Sequence, residues 1–188
     1  LLRGMGFHPD RFDDMLTAIR KARTGARFPG SGVEVFVDRS HLVIAPLSVG
    51  ERSWVIHAVD ETPADAPIRM RMVPSWDINP NMGRLVAWFD ADRISFPLEL
   101  RPWRAGDRLQ LQGLAGTKLI SDILIDAKVP LDHKRRTYVL ADADRVIWLC
   151  GWRMCGQVKA SPSSARILRA DWMPDEVPSE ECERVGDV

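Results

Sequence analysis

Short β-rich runs separated by turn residues impose the strongest constraint on how this chain can fold. Five such runs follow a turn at residues 29–32: VEVFVD, HLVIAPL, SWVIHAV, IRMRMV and RLVAWFD. Runs of this length and spacing are typical of strands joined by short connections. We predict that they form one antiparallel sheet, in which alternation places Ile68, Met70 and Met72 on one face of their strand and its arginines in water.

One amphipathic helix is predicted before these strands. Pro9 suits the first turn of a helix, and Gly25 is placed to end it. The apolar residues between them have the i, i+3, i+4, i+7 spacing of a buried stripe: Phe12, Met15, Leu16 and Ile19. Arg20, Lys21 and Arg23 fall in the last turn, where cations complement the helix dipole.

A second module is predicted to begin near residue 97, where Pro97 and Pro102 flank a new strand. Its predicted order is strand, Gly-rich loop, helix, strand, strand. The helix is TKLISDILIDAKVP, and TYVLAD with VIWLCGW forms a hairpin. We therefore predict an α+β fold of two small modules, an N-terminal helix with an antiparallel sheet (1–97) and a C-terminal strand-loop-helix-hairpin module (98–172). An acidic flexible tail (173–188) follows them.

The charges are unevenly distributed although the formal net charge is zero. Residues 98–169 hold 13 basic and 7 acidic side chains, a surplus of six positive charges, whereas residues 170–188 hold 1 basic and 7 acidic side chains. A cationic segment of this kind suits a polyphosphate partner. The alternative is an ordinary solvated face whose charge is balanced by the tail.

Several catalytic classes are excluded by their missing motifs. The chain has no GxSxG, HExxH or EF-hand sequence, and its four histidines are scattered without ligand spacing. The stretch GLAGTK at 113–118 fails as a P-loop because only two residues separate its glycines. We predict no catalytic residue, no metal site and no cofactor in this chain.

The cysteines and the apolar stretches indicate the cellular compartment in which the protein is expected. Cys150, Cys155 and Cys182 are an odd number without CxxC spacing, which predicts reduced thiols rather than disulfides or a zinc site. No apolar stretch approaches the length of a membrane span, which is roughly 20 residues. These features predict a cytoplasmic protein that does not interact with membranes.

The stretch from Pro97 to Met154 closely resembles the C-terminal module of bacterial tRNA(Ile)-lysidine synthetases. The resemblance is carried by a Gly-Asp-Arg turn, a Gly-x-x-Gly-x-Lys loop, the helix SDILIDAKVP and the strand VIWLCGWR. Upstream, VDRSHLVIAP and WFDADRISFPL resemble the middle domain of the same proteins. The resemblance covers nearly all of residues 1–170.

This resemblance implies a ligase that uses ATP and magnesium to join lysine to the wobble cytidine of tRNA(Ile). In that family the chemistry belongs to an N-terminal ATPase domain with an SGGxDS loop, which does not occur in these 188 residues. The chain also begins LLRGMGF, without an initiator methionine. We therefore expect the C-terminal part of a longer protein, whose implied role is to hold tRNA(Ile). A homodimer is left open.

The resemblance implies roles for two sets of residues. The implied tRNA-binding residues are Arg101, Arg104, Arg108, Lys118, Arg135, Arg136, Arg153 and Lys159. The implied turn residues are Gly106, Asp107, Gly113, Gly116 and Gly151, with Asp107 orienting the arginines or the turn. A competing hypothesis is a structural or dimerisation module whose basic face is covered by the acidic tail or by a partner.

Overall fold

The computed structural model describes residues 10–21, 26–29, 33–38, 41–46, 52–79 and 81–174. Their contacts divide the chain into two units. Unit 1 comprises residues 1–51 and 130–135, and unit 2 comprises residues 52–129 and 136–188. The tail predicted for residues 173–188 lies, apart from its first two residues, outside the described residues.

The helices and strands follow one another in this order: α1 (Asp10–Arg20), β1 (Arg27–Pro29), β2 (Val33–Asp38), β3 (His41–Pro46), β4 (Trp54–Ile56), β5 (Ile68–Val73), β6 (Val86–Asp90), β7 (Leu98–Pro102), β8 (Arg108–Leu109), β9 (Lys118–Leu119), α2 (Ile120–Asp126), α3 (Leu131–Arg135), β10 (Tyr138–Ala141), β11 (Val146–Leu149), β12 (Arg153–Met154) and β13 (Ile167–Trp172). Helices and antiparallel sheets thus occur together, and the predicted α+β class is confirmed.

Unit 1 packs helix α1 with a three-stranded antiparallel sheet in the order β1-β2-β3. Met15 and Ala18 of the helix are buried with Phe28, Val35 and Val37 of the sheet. The predicted helix is present, but Leu16 is 48% exposed and the small Ala18 is buried instead. Residues three apart lie on nearly the same face of a helix, so the stripe runs through positions 12, 15, 18 and 19. The predicted ends at Pro9 and Gly25 lie outside the described residues.

Unit 2 contains a five-stranded antiparallel sheet in the order β12-β11-β10-β7-β4 and a three-stranded sheet in the order β5-β13-β6. Strands β8 and β9 form a separate two-stranded hairpin. A continuous core includes Phe89 of the smaller sheet and Trp148 of the larger, whose rings meet edge to face at 6.1 Å. Ile120, Ile123 and Leu124 bury one face of α2 in the same core.

The prediction of a single sheet for the first five β-rich runs is wrong. The runs divide among three sheets, because β4 pairs with β7 and the late strand β13 lies between β5 and β6. The module boundary predicted near residue 97 consequently falls inside unit 2, and the contacts divide at residue 51 instead. Local alternation indicates strands, but it does not indicate which distant strand each one will join.

The local predictions for the second module agree better with the structure. The predicted hairpin is present as β10 and β11, and the Gly-rich loop connects β8 to β9. The predicted helix is shorter, because Leu119 belongs to strand β9 and the helix ends at Asp126. In β5, Ile68 is buried as predicted, but Met72 is 46% exposed near the end of the strand.

Candidate nucleic-acid interface

The turn after β7 is built around a buried pair of opposite charges. The side chain of Arg101 is buried, and its two terminal nitrogens donate to the carboxylate of Asp107 at 2.7 and 2.9 Å. Arg101 also donates to the Pro102 carbonyl and to Glu99. Bidentate pairing of this kind fixes geometry as well as adding attraction. Arg101 was predicted to bind tRNA, but the structure gives its guanidinium an internal role in this turn.

Asp107 also closes the turn through the backbone. Its carboxylate accepts a hydrogen bond of 2.7 Å from the amide of Arg104, and Gly106 between them has a φ of 96°, which favours glycine. Burial alone would raise the pKa of Asp107. Hydrogen bonds from Arg101 and from the Arg104 amide outweigh burial, so the pKa lies below its usual value. This geometry agrees with the predicted role of Asp107 in orienting the turn.

Two exposed arginines flank Asp107 in sequence. The guanidinium of Arg104 lies 3.5 Å from a carboxylate oxygen of Glu99. The guanidinium of Arg108 instead donates to the hydroxyl of Thr117 at 2.7 Å and to the carbonyl of Thr117 at 3.0 Å. Arg108 is therefore held across the base of the β8–β9 hairpin by a neutral residue, and its charge is not compensated there.

Lys118, which stands before helix α2, has a partner within the chain. Its ammonium group forms a short ion pair with Asp126, the last residue of that helix. The sequence alone leaves an unpaired cation beside the positive end of a helix dipole, and Asp126 supplies the missing anion. The N-cap residue is Leu119, and no side chain caps the helix.

The predicted loop glycines have the backbone conformation of turn residues. Gly113 and Gly116 of the hairpin loop and Gly151 after β11 all have positive φ, with the largest value of 120° at Gly116. This conformation strains residues with a side chain. The loop therefore depends on glycine for its path.

A close backbone contact that the sequence did not reveal supports the hairpin loop. Gly156 donates its amide to the carbonyl of Gln110 at 3.0 Å, and an added Cβ would lie 2.8 Å from the Cα of Gln112. The ammonium group of Lys159 lies 3.5 Å from the side-chain oxygen of Gln112. We refer to Arg108, Gln112, Thr117, Gly156 and Lys159 as the loop cluster. No local sequence pattern indicates this contact, because Gly156 and Gln112 are far apart in the chain.

The remaining predicted cations occupy different settings. Arg153 is exposed and donates to the carbonyl of Trp152 at 3.1 Å. Arg136 is exposed in unit 2, whereas Arg135 belongs to unit 1. Burial, together with the nearby charge of Arg27, lowers the pKa of Arg135.

Two further arginines lie next to the loop cluster and were not among the predicted residues. Each also pairs with a carboxylate, Arg93 with Asp90 at 3.3 Å and Arg145 with Asp142 at 3.8 Å. Arg145 donates to the side-chain oxygen of Gln157 at 2.6 Å, and Arg93 donates to the carbonyl of the same residue at 3.2 Å. Gln157 lies in the 3₁₀ turn Gly156–Val158, next to the loop cluster. Arg93 and Arg145 are 52 residues apart in sequence, so their spacing carries no pattern that would bring them together.

The described residues show no sign of a metal centre or a membrane span. In those ranges no group of three or more His, Cys, Asp or Glu side chains could hold a metal ion. Across the same part of the chain, no helix has the length and apolar character needed to cross a bilayer. Cys150 and Cys155 are buried free thiols, and burial raises the pKa of Cys150 well above its ordinary value.

Part of the chain matches a known protein family, and a solved structure is similar to it. Residues 98–172 match the family described as "TilS substrate C-terminal domain". A crystal structure entitled "Crystal structure of TILS C-terminal domain" is similar to the chain with a TM-score of 0.54 and 25% sequence identity. The match covers 66% of this chain and 99% of that one.

Several relatives at the sequence level bear the same name. The tRNA(Ile)-lysidine synthase of Parabacteroides distasonis is 28% identical over 92% of this chain and 40% of its own length. The enzyme of the same name from Bacteroides thetaiotaomicron is 25% identical over 89% of this chain and 37% of its own length. The chain thus spans about 40% of the length of the first of these relatives. The predicted resemblance is confirmed: the chain is similar to tRNA(Ile)-lysidine synthases over most of its length, and residues 98–172 match the C-terminal domain family.

Proposed function

We propose that this chain is the tRNA-binding C-terminal portion of a tRNA(Ile)-lysidine synthase, and that it positions tRNA(Ile) for a ligase reaction carried out elsewhere in the full-length protein. That reaction joins lysine to the wobble cytidine with ATP. The names of the relatives support the substrate. The observation that supports the binding role is that three exposed cations have neutral partners: Arg108, Arg153 and Lys159.

These three cations are oriented by neutral acceptors. Arg108 contacts Thr117, Arg153 the Trp152 carbonyl and Lys159 the Gln112 amide, and none of the three forms an ion pair with a described residue. A neutral acceptor restricts the side chain without cancelling its charge. Each cation is therefore available to a phosphate, and replacing condensed counterions drives such contacts.

Arg108 is the best placed of the three for a phosphate. Its Nε and one terminal nitrogen are used by Thr117, which leaves donors of the planar guanidinium on its outer edge. A guanidinium whose orientation is already fixed loses less conformational freedom when it binds a phosphate. Arg101, by contrast, contributes indirectly by holding Asp107 and the turn that precedes Arg108.

No catalytic step is assigned to these residues. The described residues contain no group of three or more His, Cys, Asp or Glu side chains that could hold a metal ion, and the 188 residues contain no SGGxDS sequence. The role proposed here is binding and orientation in the cytoplasm, where tRNA is modified.

Electrophoretic mobility shift with a tRNA(Ile) transcript bearing a CAU anticodon tests this proposal. At about 50 mM salt, where phosphate contacts are strongest, the 188-residue chain should bind the transcript. Sedimentation of the chain without RNA tests the competing dimerisation module. Failure to bind tRNA, together with a mass that rises with protein concentration, would favour that alternative.

A further inference from the structure

Trp76 is the most exposed large apolar side chain among the described residues, at 84% of its full accessibility. Tryptophan side chains are usually largely buried, because the indole is the largest apolar group a protein carries. Trp76 lies in the 3₁₀ turn Ser75–Asp77, directly after β5. It also lies outside the family match of residues 98–172.

Local hydrogen bonds shape the turn that carries the indole. The amide of Asp77 donates to the carbonyl of Pro74 at 3.0 Å, and the amide of Asn81 donates to the side chain of Asn79 at 3.0 Å. Pro74 restricts the backbone at the entry to the turn. Trp76 lies on this turn, exposed to solvent, and it is not among the side chains packed against the core of unit 2.

The position of the turn follows from the topology of the smaller sheet. Strands β5 and β6 both run antiparallel to β13, so they are parallel to each other and their connection must return along the sheet. Residues 74–85 form this connection, and Trp76 lies near its start, at the end of the sheet where Val73 pairs with Ile167.

The strand that leads into this turn carries positive charge on its outer face. Arg69 and Arg71 alternate with the inward residues of β5, and Arg71 is paired across the sheet with Arg169. Arg169 is already bound to Asp171 and stacks over Trp88 at 5.2 Å. Arg71 is exposed and has no hydrogen bond or ion pair with any described residue.

An unpaired nucleotide could contact both the exposed indole of Trp76 and the exposed guanidinium of Arg71. A base has an apolar π-face that stacks on an indole, and the sugar-phosphate chain attached to it carries the anion that an unpaired arginine attracts. An apolar protein surface would cover Trp76 but would leave the charge of Arg71 without a partner, at a cost in desolvation.

We infer that Trp76 is a stacking platform for an unpaired base of the bound tRNA, and that Arg71 contacts a neighbouring phosphate. This inference rests on the proposed function, because it requires RNA as the partner. It adds a contact surface in residues 68–77, none of which belongs to the loop cluster.

Two substitutions at one position test the stacking. Trp76→Leu keeps apolar bulk but removes the flat π-face, and it should weaken tRNA(Ile) binding by roughly 5- to 150-fold, the range typical of a lost base-aromatic stack. Trp76→Phe retains an aromatic face and should recover most of the affinity. The salt dependence should be unchanged in both variants, because stacking neutralises no phosphate.

The matched controls separate stacking from charge and from bulk. Arg71→Gln should reduce the slope of log K against log salt by about 0.7 to 0.9. Leu16→Ala removes another exposed apolar side chain, in unit 1, and should bind tRNA as the unchanged chain does. A fully paired RNA duplex offers no unpaired base, so the unchanged chain and Trp76→Leu should bind it equally.

Each contrary outcome has a distinct meaning. The stacking inference is wrong if Trp76→Leu binds tRNA as tightly as the unchanged chain. It is also wrong if the substitution lowers the affinity for the paired duplex by the same factor as for tRNA. In either case the proposed function stands. If the unchanged chain binds no tRNA, the proposed function fails and the inference fails with it. If the unchanged chain sediments as a dimer and Trp76→Leu sediments as a monomer, the indole belongs to a protein interface and the inference is wrong.

Discussion

At the level of single residues, the pair formed by Arg101 and Asp107 shows how a charge can serve binding without touching a ligand. Both side chains are nearly inaccessible, and Asp107 also fixes the amide of Arg104. The exposed arginines on either side of Asp107 therefore depend on a buried contact. The residue types and the Gly-Asp turn were predictable from sequence, but the burial of Arg101 was not, because it results from the strands packed around it.

Asp107→Ala should destabilise the fold. The change leaves the guanidinium of Arg101 buried without its main partner, which typically costs about 3–5 kcal/mol in the free energy of unfolding. For a chain of this size, each kcal/mol lowers Tm by roughly 2–4 °C. Thermal unfolding followed by circular dichroism measures the change, and an unaltered Tm would show that the pair does not support the turn.

The stability of the chain should depend on pH through the same carboxyl group. The pKa of Asp107 is lower in the folded chain than the value of about 3.9 expected when unfolded. Its contribution is therefore present above that unfolded value and is lost as the pH falls through the folded pKa. Urea midpoints of the unchanged chain and of Asp107→Asn should differ at neutral pH and converge in acid below about pH 4. A constant difference across that range would contradict this assignment.

At the level of elements, the hairpin formed by β8 and β9 is positioned by a contact distant in sequence. Strand β10 and strand β11 were predicted correctly because alternation and an intervening turn are local signals. The support for the Gly-rich loop was not predicted, since Gly156 reaches Gln112 only after the chain has passed through two helices and four strands. The glycine spacing of the loop therefore predicted its presence but not its position.

Gly156→Ala should displace the hairpin loop. Its Cβ would lie 2.8 Å from the Cα of Gln112, a backbone atom that cannot move aside cheaply. Overpacking of this kind typically costs about 1–3 kcal/mol in the free energy of unfolding. Urea unfolding should show the loss, and tRNA binding should weaken because Lys159 and Arg108 lose their spacing. Ala115→Ser, in the exposed loop itself, is the control and should stay within about 0.5 kcal/mol.

At the level of the whole molecule, pairing between distant strands limits what the sequence can predict. The change in charge near residue 97 coincides with the start of the family match at residue 98, yet β4, β5 and β6 complete the sheets of unit 2. A change in surface charge marks a change in what the surface can bind. It need not mark where one set of contacts ends and another begins.

The acidic end of the chain should compete with RNA. Residues 175–188 hold six acidic and one basic side chain. Deleting them should raise tRNA affinity at low salt, and the gain should disappear at high salt because exposed charges are screened. Replacement by an uncharged Gly-Ser segment of equal length is the control and should give the same gain. Unchanged or weaker binding after deletion would show that these residues do not compete with RNA.

The central claim is that exposed cations with neutral partners bind the phosphates of tRNA. The most direct measurement is the salt dependence of tRNA(Ile) affinity for a chain carrying Arg108→Gln, Arg153→Gln and Lys159→Gln. The claim predicts that the slope of log K against log salt becomes shallower by about 2 to 3, at roughly 0.7 to 0.9 for each lost contact. Arg166→Gln, whose cation is already paired with Asp92, should leave the slope unchanged. A triple variant that binds tRNA with the original slope would contradict the claim.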